Sequence, residues 1–192
     1  LSVYDKMEED PSYTFGKALR TDQNWNISST PSIEMFFRGN IWMQQIAVRY
    51  QSITAGVHRD IFSTYDYKQD TAVAPNGWMH FDKLQRLKFF LYLTDVDKQS
   101  GPLTVAPGTQ IAGKNFRTTD NQKNRFGRFY GDAGICAGWP EPQNHHPNFR
   151  YECVELLGQA GTLIIFDSDV LHKGGGITSA DTERIIIRSH SW

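Results

Sequence analysis

The chain has little cysteine: Cys136 and Cys153 are the only two in 192 residues. That is too few for a disulfide framework, and their spacing is not that of a zinc site. The expectation is two unpaired thiols in a reducing cytoplasm. Long hydrophobic runs are also missing, since LKFFLYL and the segment ending in IIFD fall far short of the roughly 18 residues that a membrane-spanning helix needs. Charge of one sign is missing too. Twenty Lys and Arg against 21 Asp and Glu leave a formal charge of -1, so no overall field attracts nucleic acid or an anionic membrane, and a partner has to be recognised locally. There is no internal repeat or low-complexity tract. The first residues, LSVYDKMEED, are acidic and lack a hydrophobic targeting segment, which argues against an uncleaved secretory signal.

What remains is an ordinary globular composition, 39% hydrophobic and 13% aromatic, enough for one packed domain over 1–192. Residues 1–55 form its helical part. Thr30-Pro31 reads as an N-cap followed by Pro at the first helical position, Gly39-Asn40 interrupts, and Trp42, Ile46 and Tyr50 then recur at i, i+4, i+8. Two short packed helices are expected there. From Gly56 the pattern changes to short strand-like runs: GVHRDIFSTYDY, GWMHFD, RLKFFLYL, GPLTVAPG, YECVELL, GTLIIFD and RIIIRSH. Several short strands with turn residues between them suggest a sandwich or barrel rather than a parallel α/β sheet. Residues 111–151 form a long aperiodic insertion, the length of a functional lid.

Six histidines are available for chemistry. In HFD, His80 and Asp82 are two apart on a strand, so both side chains leave the same face and can ligate one ion. An isolated H-x-D is weak evidence, because a surface pair on a strand gives the same pattern and the chain holds a second copy at His58 and Asp60. A third ligand is offered by His172 in GTLIIFDSDVLHKGGG, where Gly174 to Gly176 leave room beside it. Two histidines and one carboxylate make the facial triad of non-haem Fe(II) oxygenases, with three positions left open. Twelve residues on, Arg184 opens the strand RIIIRSH, and a guanidinium there can hold a carboxylate bidentately while the other end of the same ligand chelates the metal. 2-Oxoglutarate needs such an anchor. Arg188 and His190 share the Arg184 face, so Arg188 competes for the role. His145 and His146 point to opposite faces if extended and read as surface residues.

The segments WMHFD, LKFFLYLTDVDKQSGPLTVAPGTQ and GTLIIFDSDVLHKGGG, with the Arg after the distal His, resemble the phytanoyl-CoA dioxygenase-like branch of the Fe(II)/2-oxoglutarate-dependent oxygenases. The resemblance covers roughly 56–110 and 156–192. It implies a mainly β fold with N-terminal helices, a distorted double-stranded β-helix (jelly roll, cupin-like). It implies His80, Asp82 and His172 as ligands of Fe(II), Arg184 as the anchor of 2-oxoglutarate, and O2 as second cosubstrate. The strand LKFFLYL matches one that lines the cosubstrate pocket, where Lys88, Phe90 and Tyr92 share a face and Lys88 offers a second cation. The sequence departs from the family where PGTQ has Gln110 in place of a frequent His, and in the loop GGGITSADTE, which lacks a frequent Asn. Related halogenases lack the carboxylate, so Asp82 favours hydroxylation.

The expected enzyme therefore oxidises a small molecule with release of succinate and CO2. Its insertion carries Lys114, Arg117, Lys123, Arg125 and Arg128 among Phe116, Phe126, Phe129 and Tyr130, a mix suited to an anionic or carrier-linked substrate. Two other readings stay open: a non-catalytic jelly-roll binding module, and a cupin-like metal enzyme that does not use 2-oxoglutarate. In DIFSTYDY, either Ser63, Tyr65 and Tyr67 or Thr64 and Asp66 face the pocket.

Overall fold

The structure is a computed structural model that describes residues 16–51, 57–68, 79–82, 84–111, 114 and 151–191. Two antiparallel sheets face each other. The larger has the order β1-β2-β8-β3-β6, and the smaller β5-β4-β7. The strands are β1 (Gly16–Arg20), β2 (Val57–Tyr67), β3 (Leu87–Tyr92), β4 (Leu103–Ala106), β5 (Val154–Leu156), β6 (Leu163–Asp167), β7 (Leu171–Lys173) and β8 (Glu183–Ser191). An isolated bridge between His80 and His172 extends the smaller sheet beyond β7. Neighbours in sheet order are distant in sequence, the winding of a double-stranded β-helix. Among the described residues no helix is long and apolar enough to cross a membrane.

The larger sheet is covered on both faces, which explains why LKFFLY is nearly continuously apolar instead of alternating. On one side Leu87 and Phe89 of β3, Ile61 of β2 and Ile187 of β8 pack against Trp25, Phe37, Met43 and Ala47. On the other, Phe90 and Tyr92 of β3, Phe166 of β6 and Ile186 of β8 meet Leu103 and Val105 of β4 between the sheets. Even-numbered positions of β3 and β8 therefore point into the roll. Tyr92 crosses it completely, its hydroxyl donating to Leu156 O at 2.9 Å.

Two helices, α1 (Pro31–Arg38) and α2 (Ile41–Gln51), cover the outer face. Pro31 opens α1 as its sequence suggests, but Thr30 makes no side-chain cap; its hydroxyl donates to Ile27 O instead, at 2.9 Å. In α2 the packed stripe is Met43 and Ala47, one position along from the Trp42, Ile46 and Tyr50 series, whose members are 40%, 38% and 52% exposed. Ala47, with nothing beyond its Cβ, lets the helix lie close to the sheet. β1, within the part expected to be helical, is a strand because its backbone completes the edge of β2 from Gly16 opposite Asp66 to Arg20 opposite Phe62.

Two further expectations change. Cys153 is disulfide-bonded, not a free thiol; the other cysteine, Cys136, lies outside the described residues. Number and spacing of cysteines do not report which chain segments meet. Of the glycines after His172, Gly176 has open space about it, but Gly175 does not. Gly101 (φ +68) and Gly175 meet backbone to backbone, and a Cβ on Gly175 would stand 2.8 Å from Gly101 Cα. Gly175 N–H donates to Pro102 O at 3.1 Å, so the loop is fastened to the start of β4.

Candidate metal centre

His80 and His172 form one rung between two strand ends. Each donates its backbone N–H to the other's carbonyl, at 2.9 and 2.8 Å. Directly opposed residues of an antiparallel pair project to the same side, and the two imidazoles stand with centroids 4.5 Å apart. Asp82 follows two residues later on that face, its N–H donating to Ser168 O at 3.0 Å. Its Oδ1 lies 4.0 Å from His80 Nε2 and 3.7 Å from His172 Nε2. One ligand atom from each residue fits within a 4.8 Å span. Two donors at right angles on one ion, each at about 2.1 Å, would be about 3 Å apart, so a small closure completes the site.

The protonation states suit ligation. His172 Nδ1 lies 2.7 Å from Val170 O, and a carbonyl only accepts, so Nδ1 carries the proton and Nε2 presents its lone pair. Burial first, then the charge of Lys88, holds the His172 pKa well below the usual histidine value. Burial alone would raise the Asp82 carboxyl, but Lys88 and the two imidazoles overcome it and hold it well below the usual carboxylate range. Two imidazole nitrogens and one carboxylate oxygen are a donor set that fits a divalent first-row metal.

Lys88 reaches into this set. It is only 8% exposed; its Nζ lies 2.8 Å from Asp82 Oδ2 and donates to His172 Nε2 at 3.1 Å. Burial lowers its pKa, against the opposing pull of Asp82. Phe166 closes the other side, edge-on to His172 with centroids 5.1 Å apart.

One residue missed from sequence holds the centre in place. Fully buried Ser168, in the β6–β7 turn, accepts from Arg86 N–H at 2.8 Å and donates to Leu84 O at 2.9 Å. Its own N–H donates to Arg86 O at 2.8 Å. With the Asp82 bond, these tie the 82–86 segment to the turn that carries His172. The turn signal FDSD was visible; its partner segment was not.

The other cations of the roll stand further along the β3–β8 ladder. Lys88 pairs in register with His190, Phe90 with Arg188 and Tyr92 with Ile186. At roughly 3.3 Å per residue, Arg188 is about 7 Å and Arg184 about 20 Å along β8 from the Lys88 rung. Arg188 lies over the Phe62 ring, 4.0 Å from its centroid. Arg184 is buried and engaged: its Nε and Nη2 both donate to Asp66 Oδ2, at 2.9 and 2.8 Å. Asp66 and Thr64 are thus the inward-facing residues of β2, while Tyr65 packs on the helical side. Asp60 is half-buried in β2 and is not one of the clustered residues, and His58 belongs to the same strand. Gln110 lines a cleft of about 340 Å³ beside β6, with Phe166 and Val170 but none of His80, Asp82 and His172. His145, His146 and nearly all of the insertion lie outside the described residues.

The phytanoyl-CoA dioxygenase (PhyH) family model matches residues 26–186. The chain belongs to that family. L-Proline trans-4-hydroxylase of Streptomyces griseoviridis is 22% identical over 163 residues, covering 82% of this chain and 57% of that enzyme. The chain thus spans little more than half the length of this curated relative. Among solved structures, the non-haem α-ketoglutarate-dependent carbocyclase SnoK from nogalamycin biosynthesis superposes with a TM-score of 0.57 at 12% identity, over 98% of this chain and 68% of the other. EctD from S. alaskensis with bound Fe gives 0.55 at 13% identity, over 100% of this chain and 61% of the other. At such identities the structural matches speak to fold: this PhyH-family chain is a mainly β jelly roll of the type found in 2-oxoglutarate oxygenases.

Proposed function

We propose that this PhyH-family protein is an Fe(II)- and 2-oxoglutarate-dependent oxygenase that hydroxylates, or otherwise oxidises, a small organic molecule with release of succinate and CO2. One observation carries the reading: His80, Asp82 and His172 converge, with the His172 proton held away on Val170 O. These three residues would hold the ion and would leave positions on it open for cosubstrate and O2. When bound, Fe(II) and 2-oxoglutarate supply the oxidation, consuming O2. The chain supplies position and exclusion of water. His80 and His172 are held by their shared rung, Asp82 offsets part of the ion's charge, and its presence supports hydroxylation over halogenation. Phe90 gives the cosubstrate an apolar wall, and Tyr92, tied to Leu156 O, closes the floor behind it.

For the far carboxylate of 2-oxoglutarate, Arg184 is the anchor that the family resemblance implies, with Lys88 as a second cation. The position of Arg188, one inward step from Lys88 in register, supports it as the competing anchor. The engagement of Arg184 by Asp66 also favours the second reading, a cupin-like metal enzyme that does not use 2-oxoglutarate. The similarity to an enzyme named for L-proline, together with these inward cations, supports a small substrate that bears a carboxylate, free or carrier-linked. We place the reaction in the cytoplasm, where iron is kept ferrous; the disulfide at Cys153 points the other way.

Succinate release in the presence of Fe(II) and 2-oxoglutarate tests the reading. His172→Ala should abolish it. Of Arg184→Ala and Arg188→Ala, the one that removes the anchor should raise the apparent 2-oxoglutarate KM strongly. A wild-type protein that consumes no 2-oxoglutarate across small-molecule libraries, even in uncoupled turnover, would leave the cupin-like reading.

A further inference from the structure

A buried lysine needs partners, because removing an ammonium from water is costly unless it is paired and hydrogen-bonded. Lys88 finds its partners in a telling place. Its ammonium takes Asp82 Oδ2 at 2.8 Å and the Nε2 lone pair of His172 at 3.1 Å. Both belong to the donor set that an ion would use. The His172 ring cannot offer its other nitrogen, because Nδ1 is committed to Val170 O. An ion on the His172 Nε2 lone pair at about 2.1 Å would therefore fall inside the space of the ammonium, which also holds Asp82 through Oδ2 while Oδ1 faces both imidazoles. The two cations exclude each other.

Nothing in the backbone prevents an exchange. Lys88 is held in β3 by its pairing with His190 on one side and Phe166 on the other, while its four-carbon stem can rotate without disturbing that ladder. Phe166, with its centroid 5.7 Å from Nζ, offers a ring face close to the ammonium.

Building on the metal-site reading above, we propose that Lys88 is an internal competitor for the metal: its ammonium and the ion take turns on Asp82 and His172. Metal affinity is then set by a displacement, not by three open ligands. The same lysine keeps the buried carboxylate paired whenever the ion is away, so the strand ends do not spread under an unpaired charge. Once displaced, the ammonium stands beside the ion as a cation for an incoming carboxylate.

The test is equilibrium binding of Co(II) to the full chain, followed by its visible absorption. Lys88→Met and Lys88→Gln should each bind Co(II) about tenfold or more tightly than wild type, within the usual range of coupling between competing sites. Lys88→Arg, which keeps the cation, should stay near wild type. His172→Ala added to Lys88→Met should remove the binding, which locates it. Circular dichroism and thermal melts identify folded variants, and two uncharged replacements guard against the loss of either one. If wild type binds one Co(II) and the folded uncharged variants bind it no more tightly, the competition is refuted while the metal site stands. If neither wild type nor variant binds Co(II), the site itself is refuted, and the competitor with it.

Discussion

Two inward-facing ion pairs among the described residues, Lys88–Asp82 near the candidate metal end of the β3–β8 ladder and Arg184–Asp66 near the other end, are built differently. Asp66 and Arg184 face each other across a rung of β2 and β8, with side chains 1% and 4% exposed. Two guanidinium nitrogens share one carboxylate oxygen there, and Thr64 adds a longer contact at 3.4 Å. Asp82 lies beyond the last rung of its strand, its side chain 26% exposed, and its partner has a second acceptor in His172. The far pair is fixed by the sheet. The near pair is assembled from a loop residue and a flexible stem, so its parts can change partners.

Breaking the far pair should therefore show chiefly in stability. Arg184→Ala strands Asp66 in a dry interior, and a loss of about 3–5 kcal/mol is expected from urea unfolding. Lys88→Met should cost less, since Asp82 keeps more contact with solvent. Equal losses at the two ends would remove the distinction.

A smaller effect sharpens the near end. Ser168→Ala removes the hydroxyl that serves Arg86 N–H and Leu84 O, at a cost of about 1–3 kcal/mol for buried groups left unpaired. Because the 82–86 segment then loosens, Co(II) affinity should fall as well. An equal loss of stability with unchanged metal affinity would show that the turn does not position Asp82.

The mildest probe is pH. His190, on the rung of Lys88, is held down to about 3, by burial first and then by the charges of Lys88 and Arg188; His172 is likewise depressed. Both stay neutral in the fold while the unfolded chain takes up protons below its ordinary value of 6.5. Stability is thus whole above that pH and falls as pH drops from about 6.5 toward 4, by at most about 1.4 kcal/mol per pH unit for each such histidine. Asp82 acts in the same direction, but only below its ordinary value of 3.8. His190→Gln should flatten the slope between pH 4 and 6.5 in urea titrations, and an unchanged slope would place that histidine in solvent.

The contrast between the two ends also separates what could be read from sequence. The alternation of His80 and Asp82, the strand-like runs and the proline at the head of α1 are local patterns, and they were legible. So was the place of His172 beside them, because a turn signal and a strand precede it. Asp66 was not placed, because the sheet is covered on both faces and Thr64/Asp66 and Ser63/Tyr65 then look equally suited to the interior. β1 was missed because GKALR is a strand only by virtue of the edge it completes. The stripe of α2 was misjudged by one position, since periodicity finds a face but not which neighbour approaches it most closely. Ser168 sits in a recognisable turn, yet its value lies in a segment more than 80 residues away.

The shared rung of His80 and His172 has a mechanical consequence. Since each backbone holds the other by two hydrogen bonds, the imidazoles ride together, and breathing of the sheet carries them as one body. Asp82 is tied to the same turn by one backbone bond, to Ser168 O, rather than by a doubled rung. Tightening or loosening of the triad is therefore the swing of a single carboxylate against a rigid pair of rings, and the grip on an ion is set at that one joint.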